Sequence, residues 1–178
     1  VWYRMLSPLL GGSTFTFGLI LAIALAGIGI GGTIFGLHHK DVRTTLSGFA
    51  FICALEALFL IFPFALGDRL AILTALLKPL AVSGFYTQLL GWTLVTTLVV
   101  LPAAVISGIQ FPMLIGLLGQ GKKNVGRHTG SVYFWNTAGA ITGSLAGGFG
   151  LIPLLSAPGC WQLAVILLLI LSFFAVIL

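Results

Sequence analysis

Three carboxylic acids are the only ones this 178-residue chain offers for chemistry: Asp41, Asp68 and Glu56. Asp41 and Asp68 fall in polar connections on opposite sides of the apolar runs, and Glu56 lies inside one, so no carboxylate pair for general acid–base work can form. His38 and His39 are adjacent and cannot share a helix face as His-x-x-x-His metal ligands do; a hydrated loop accounts for them better. Cys53 sits mid-helix and Cys160 in a loop, far apart and outside any Cys-x-x-Cys pattern, so both read as packing residues without a disulfide. The run Gly27–Gly32, GIGIGG, has the spacing of a dinucleotide-binding fingerprint. That motif needs a strand before it and a helix starting at it; here it lies within a long apolar helix, and close helix packing is the better reading. No catalytic residue, metal site or cofactor is expected.

One polar constellation is worth building. Glu56 lies at the centre of an apolar run, about 15 Å from either end at 1.5 Å per residue. A carboxyl at that depth is costly and marks a functional candidate. Gln110 lies about 12 Å, and Asn136 about 9–12 Å, from the edge on which their own runs meet the basic loop. With Tyr133, one turn from Asn136, these depths are close enough for Glu56, Gln110, Tyr133 and Asn136 to form an intramembrane hydrogen-bond network. It would be a proton or cation site, or a structural lock between helices.

The elements that position these residues follow from composition. The chain is 59% hydrophobic and 6% charged, with a mean hydropathy of +1.19. Soluble domains carry about 25% charge, so too few charges remain to coat a globule. The expected fold is an all-α, polytopic helical membrane protein, about four full transmembrane helices plus the end of a fifth at the N-terminus, in one domain over 1–178. Residues 1–10 read as the end of a truncated helix that stops near Pro8, with a turn over 11–13. Spans are expected over 14–36, 46–66, 88–118, 130–155 and 161–178, the last running off the end of the chain. Runs of this length cross about 30 Å of hydrocarbon. Pro102 and Pro112 should bend the long span 88–118. The segment 67–87 reads as interfacial, with Asp68 capping a short apolar helix that Pro79 stops. A tight turn is expected over 156–159.

The net charge of +5 is no nucleic-acid signal, because the basic residues lie in short loops beside apolar runs, where they set topology. Lys40, Arg43, Lys122, Lys123 and Arg127 fall on one side; Arg4, Arg69 and Lys78 fall on the other. The excess puts loops 37–45 and 119–129, and the C-terminus, in the cytoplasm. Trp92 and Trp161 should then sit in the outer aromatic belt. Two glycine stripes stand out: Gly27 and Gly31, and Gly139, Gly143 and Gly147, each repeating every fourth residue. In lipid such a stripe lets a second helix approach to backbone contact. Besides the bilayer, the expected partners are other membrane subunits, or a second copy engaged through these faces.

The stretch VGRHTGSVYFWNTAGAITGSLAGGFGLIPLL resembles the glycine-rich helix of membrane-bound spermidine synthase-like proteins, a fused transporter-like and spermidine synthase family. The residues that carry the resemblance are Gly126, Arg127, Gly130, Tyr133, Asn136, Thr137, Gly139, Ala140, Gly143, Gly147, Ile152 and Pro153. The opening VWYRMLSPLLGGSTFTFGLILAIALAGIGIGG is similar to that family's first loop and second helix. Trp2 and Arg4 match part of its Glu-x-x-Trp-x-Arg motif, whose Glu would precede Val1, and Phe111-Pro112 matches a Phe-Pro on the long helix. The resemblance implies a bacterial inner-membrane module. In that family a soluble Rossmann-like domain commonly follows and moves an aminopropyl group from decarboxylated S-adenosylmethionine to putrescine. The chain ends before such a domain, so the implied function is that of an anchor or scaffold, with enzymatic activity only in a missing C-terminal part. Two rivals are an accessory subunit of a larger membrane complex and a transporter of polyamines or other small cations.

Overall fold

The computed structural model describes residues 1–38, 44–118 and 125–177, and all regular structure among them is helical. Helices α1 (Trp2–Leu10), α2 (Thr14–His38), α3 (Leu46–Ala65) and α4 (Gly67–Leu77) are followed by a 3₁₀ turn, Lys78–Ser83. Then come α5 (Phe85–Leu118), α6 (Val125–Leu145), a π-helical turn over Ala146–Leu151, and α7 (Ile152–Ile177). Four stretches are long and apolar enough to cross a membrane: Thr14–Leu37, Leu46–Ala65, Phe85–Leu118 and Gly126–Ile177. The last has 52 residues, about 78 Å of helix, far beyond a single crossing. The chain is an all-α polytopic membrane protein, and its outer surface is apolar, with Phe15, Phe51, Phe134 and Phe173 exposed.

The core is α5 flanked by α2 and α3, with α7 on the far side of α3. α2 and α5 run parallel, since Gly27 faces Ala104 while Gly31 faces Val105 and Gly108. α3 runs antiparallel to both, with Gly48 beside Met113 and Cys53 beside Gln110. α7 runs antiparallel to α3. The Trp161 indole donates to the Leu60 carbonyl at 2.8 Å near one end, and the Ser172 hydroxyl donates to the Ala50 carbonyl at 2.8 Å near the other. Buried Val95, Val99, Val100, Ala57, Ile20 and Trp161 fill the centre.

Local chemistry explains the ends. Ser13 caps α2 by accepting from the Thr16 amide, while the Thr16 hydroxyl donates to the carbonyl of Gly11, whose φ is +83°. Thr45 caps α3 through the Gly48 amide at 3.1 Å. α4 begins at Gly67, two residues before the Arg69 start that Asp68 as cap would require. Leu66 joins α3 to α4 without a side-chain cap, and Asp68 lies in the first turn, where it complements the helix dipole. Lys78 then bonds the Ala75 carbonyl as the chain tightens ahead of Pro79. Pro8 lies inside α1 instead of ending it.

The turn expected over 156–159 is sharper than that. The break is Ser156 alone, at φ +64° and ψ 174°, and Cys160 is buried in helix, not loop. Pro158 falls in the first turn of the restarted helix, where its missing N–H costs nothing. Upstream, Pro153 cannot donate to residue 149, and the Gly-rich turn widens so that Ile152 reaches Gly147 instead. Trp161, expected in an aromatic belt, is 5% exposed and packs edge-on against Trp2. Loop residues Lys40, Asp41, Arg43, Lys122 and Lys123 lie outside the described residues.

Candidate functional site

Glu56 and Gln110 meet across the α3–α5 interface. The Gln110 side-chain amide donates to the Glu56 carboxyl and lies 3.8 Å from the Cys53 sulfur. Ser107, one turn before Gln110 on α5, stands near that carboxyl. The antiparallel packing of α3 on α5 sets this geometry. Cys53 and Glu56 are one turn apart on α3, Ser107 and Gln110 one turn apart on α5, and each pair therefore shares a face. The Gln110 side-chain nitrogen thus has two acceptors within reach, which suits a polar group away from water. Cys53 is fully buried, while Glu56 and Gln110 are half-buried, so the cluster is roofed on one side by protein and open on the other.

Tyr133 and Asn136 are placed differently. Tyr133 packs edge-on against Phe111 with ring centroids 4.8 Å apart, beside Gln110 in sequence but outside the cluster, and its ring stays exposed. Asn136 is exposed, in an open groove along α6 with Thr137, Ala140 and Ser144. The cause is the path of α6. Among the described residues it packs on no other transmembrane helix than α5. Val132 is buried there, and beyond it the helix leaves the core. The network expected of four residues is thus a Glu56–Gln110 pair joined by Cys53, with Ser107 beside it. Cys53 and Ser107 carry a signal in the sequence, the one-turn spacing to the two residues already singled out.

The glycine stripes divide in the same way. A Cβ on Gly31 would stand 2.0 Å from the Val105 carbonyl oxygen, one on Gly108 2.3 Å from that of Ile28, and one on Gly27 2.6 Å from the Ala104 methyl. These backbones touch. Gly139, Gly143 and Gly147 have nothing within 4 Å of such a Cβ. Of the remaining motif residues, Arg4, Gly126, Arg127, Thr137 and Pro153 are exposed, and Trp2 is half-buried against Trp161. Both cysteines are free and buried. No three metal-ligating side chains gather among the described residues.

No protein-family model, curated protein or solved structure matches the chain.

Proposed function

We propose that this chain is a membrane-embedded scaffold module. Its packed core holds α6 out to take one more transmembrane helix, an apolar one carrying its own stripe of small residues. The observation that carries the reading is the unpartnered face Gly139, Gly143 and Gly147, with Asn136 and Thr137 near it. The α2–α5 contact supplies the template, because there a matching stripe is met by Gly108 on the neighbouring helix. Asn136 adds an amide that hydrocarbon cannot satisfy but a neighbouring helix can. The resemblance to membrane-bound spermidine synthase-like proteins supports anchorage as the purpose: the module would tether an aminopropyltransferase domain on the cytoplasmic side of a bacterial inner membrane. The excess of basic residues in loops 37–45 and 119–129 supports that orientation.

Sizing of the protein extracted in mild detergent tests the reading. A particle larger than the 18.7 kDa chain that falls to a single protomer on Gly143→Leu is expected. A lone protomer in the wild type overturns it. Twice the chain mass makes the partner helix a second copy's α6.

A second reading, passage of a proton or small cation, draws on the Glu56–Gln110 pair. Uptake into proteoliposomes, wild type against Glu56→Gln, decides it. Flux abolished by the substitution supports transport, and absence of flux in both leaves the pair as a lock between α3 and α5.

A further inference from the structure

A cleft of about 310 Å³ opens at the end of the molecule where α1, α4 and the 3₁₀ turn gather around the start of α5. Its walls are mainly apolar, with Leu9, Leu10, Leu77 and Val95 among them, and Lys78, Gln88 and Trp92 add polar groups. Among the described residues, none of these three side chains has a hydrogen-bond or ion-pair partner. Gln88 and Trp92 are half-buried, and Lys78 is exposed. Gly91, buried in the wall, contributes no side chain and leaves room. An ordinary ligand site is apolar with a few convergent polar groups, and this cleft lies at the lower end of the usual size range of about 300–1,000 Å³.

Position narrows the ligand. Lys78 follows the short helix α4, and Gln88 stands in the first turn of the membrane-crossing α5, so the polar groups mark the level where the bilayer meets water. The accessible apolar lining beside them is Leu9 and Leu77. We infer that this cleft binds an anionic amphiphile. Lys78 would pair with its phosphate or carboxylate head, the Gln88 amide and the Trp92 indole would hydrogen-bond the head or its ester oxygens, and the start of one acyl chain would lie against the half-buried Leu9 and Leu77. One lysine matches one negative charge. The volume admits a head and the top of a chain, and the remainder of the tail stays in the bilayer. The inference is independent of the α6 face.

The test is direct binding to delipidated protein in a zwitterionic detergent, read by native mass spectrometry and by quenching of tryptophan fluorescence with lipid brominated near the top of the chain. The probes are phosphatidylglycerol, phosphatidylcholine, oleate and free glycerol phosphate. Phosphatidylglycerol and oleate are expected to bind above phosphatidylcholine, and part of the quenching should vanish in Trp92→Phe. Lys78→Gln should weaken both anionic lipids about fivefold, the worth of one lysine near a membrane surface, and Lys78→Arg should keep them. Lys78 is solvent-exposed, so neither change touches the core, and equal melting temperatures verify this. Equal binding of phosphatidylcholine, or indifference to Lys78→Gln, overturns the site. Glycerol phosphate bound as tightly as the lipids overturns the amphiphile and leaves a free-anion site.

Discussion

The two glycine stripes have the same spacing and opposite fates. On α2, Gly27 and Gly31 lie against α5 so closely that a methyl group would meet backbone or a buried methyl. On α6, Gly139, Gly143 and Gly147 face open space. The difference lies in the opposing helix. α5 brings its own Gly108 into register, and parallel packing keeps the two chains side by side. Nothing among the described residues answers α6 in that way. A small-residue stripe therefore states that close approach is allowed, while the neighbour decides whether it occurs.

The largest effect expected from breaking this comparison is at the tight contact. Gly31→Leu should force α2 from α5, costing about 3 kcal/mol or more, seen as loss of folded protein or a sharply lower melting temperature in detergent. Gly143→Leu should leave the melting temperature of the lone chain nearly unchanged, since its face is open. A large fall for Gly143→Leu alone, or none for Gly31→Leu, would reverse the assignment of packed and bare stripes.

The polar pair comes next. Glu56→Ala strands the Gln110 amide inside the α3–α5 interface and should cost about 1–3 kcal/mol. Glu56→Gln, which keeps an acceptor, should cost less. Denaturant titration in mixed micelles separates them, and equal costs would place the pair in a wetter setting than the helix interface implies.

Trp161→Phe keeps the ring packing on Trp2 and loses the bond to the Leu60 carbonyl. A cost of about 1 kcal/mol is expected, and Ser172→Ala should cost a similar amount at the other end of the α3–α7 contact. Chemical unfolding of the double variant should show the two adding, because the sites lie at opposite ends of the contact.

The smallest effect sharpens the comparison within one motif. In the GIGIGG run, Gly27 faces the Ala104 methyl whereas Gly29 has nothing within 4 Å. Gly29→Ala should be neutral, or stabilising by up to about 1 kcal/mol through helix propensity, while Gly27→Ala should destabilise. Parallel thermal melts of the two variants check it.

The run of apolar residues was enough to read the all-α membrane fold, because a bilayer requires every backbone group to be bonded within its own segment. The depth arithmetic that joined Glu56 to Gln110 worked because α3 and α5 are neighbours. The same arithmetic also admitted Tyr133 and Asn136, which share that depth on a helix whose path leads away. Depth is one coordinate; the rotation of each helix and the identity of its neighbour supply the others.

Composition and periodicity, then, determine which segments of this chain are helices, how deep their polar residues lie, and which faces permit close approach, since these depend on contacts within a single segment and on the solvent around it. Tertiary packing alone decided that Gly31 meets Gly108, that Trp161 packs in the core, that Tyr133 and Asn136 stay out of the Glu56–Gln110 pair, and that α6 stands apart. Each of these depends on which helices pack together and in what register, and residues distant in sequence are brought together only when the whole bundle has closed.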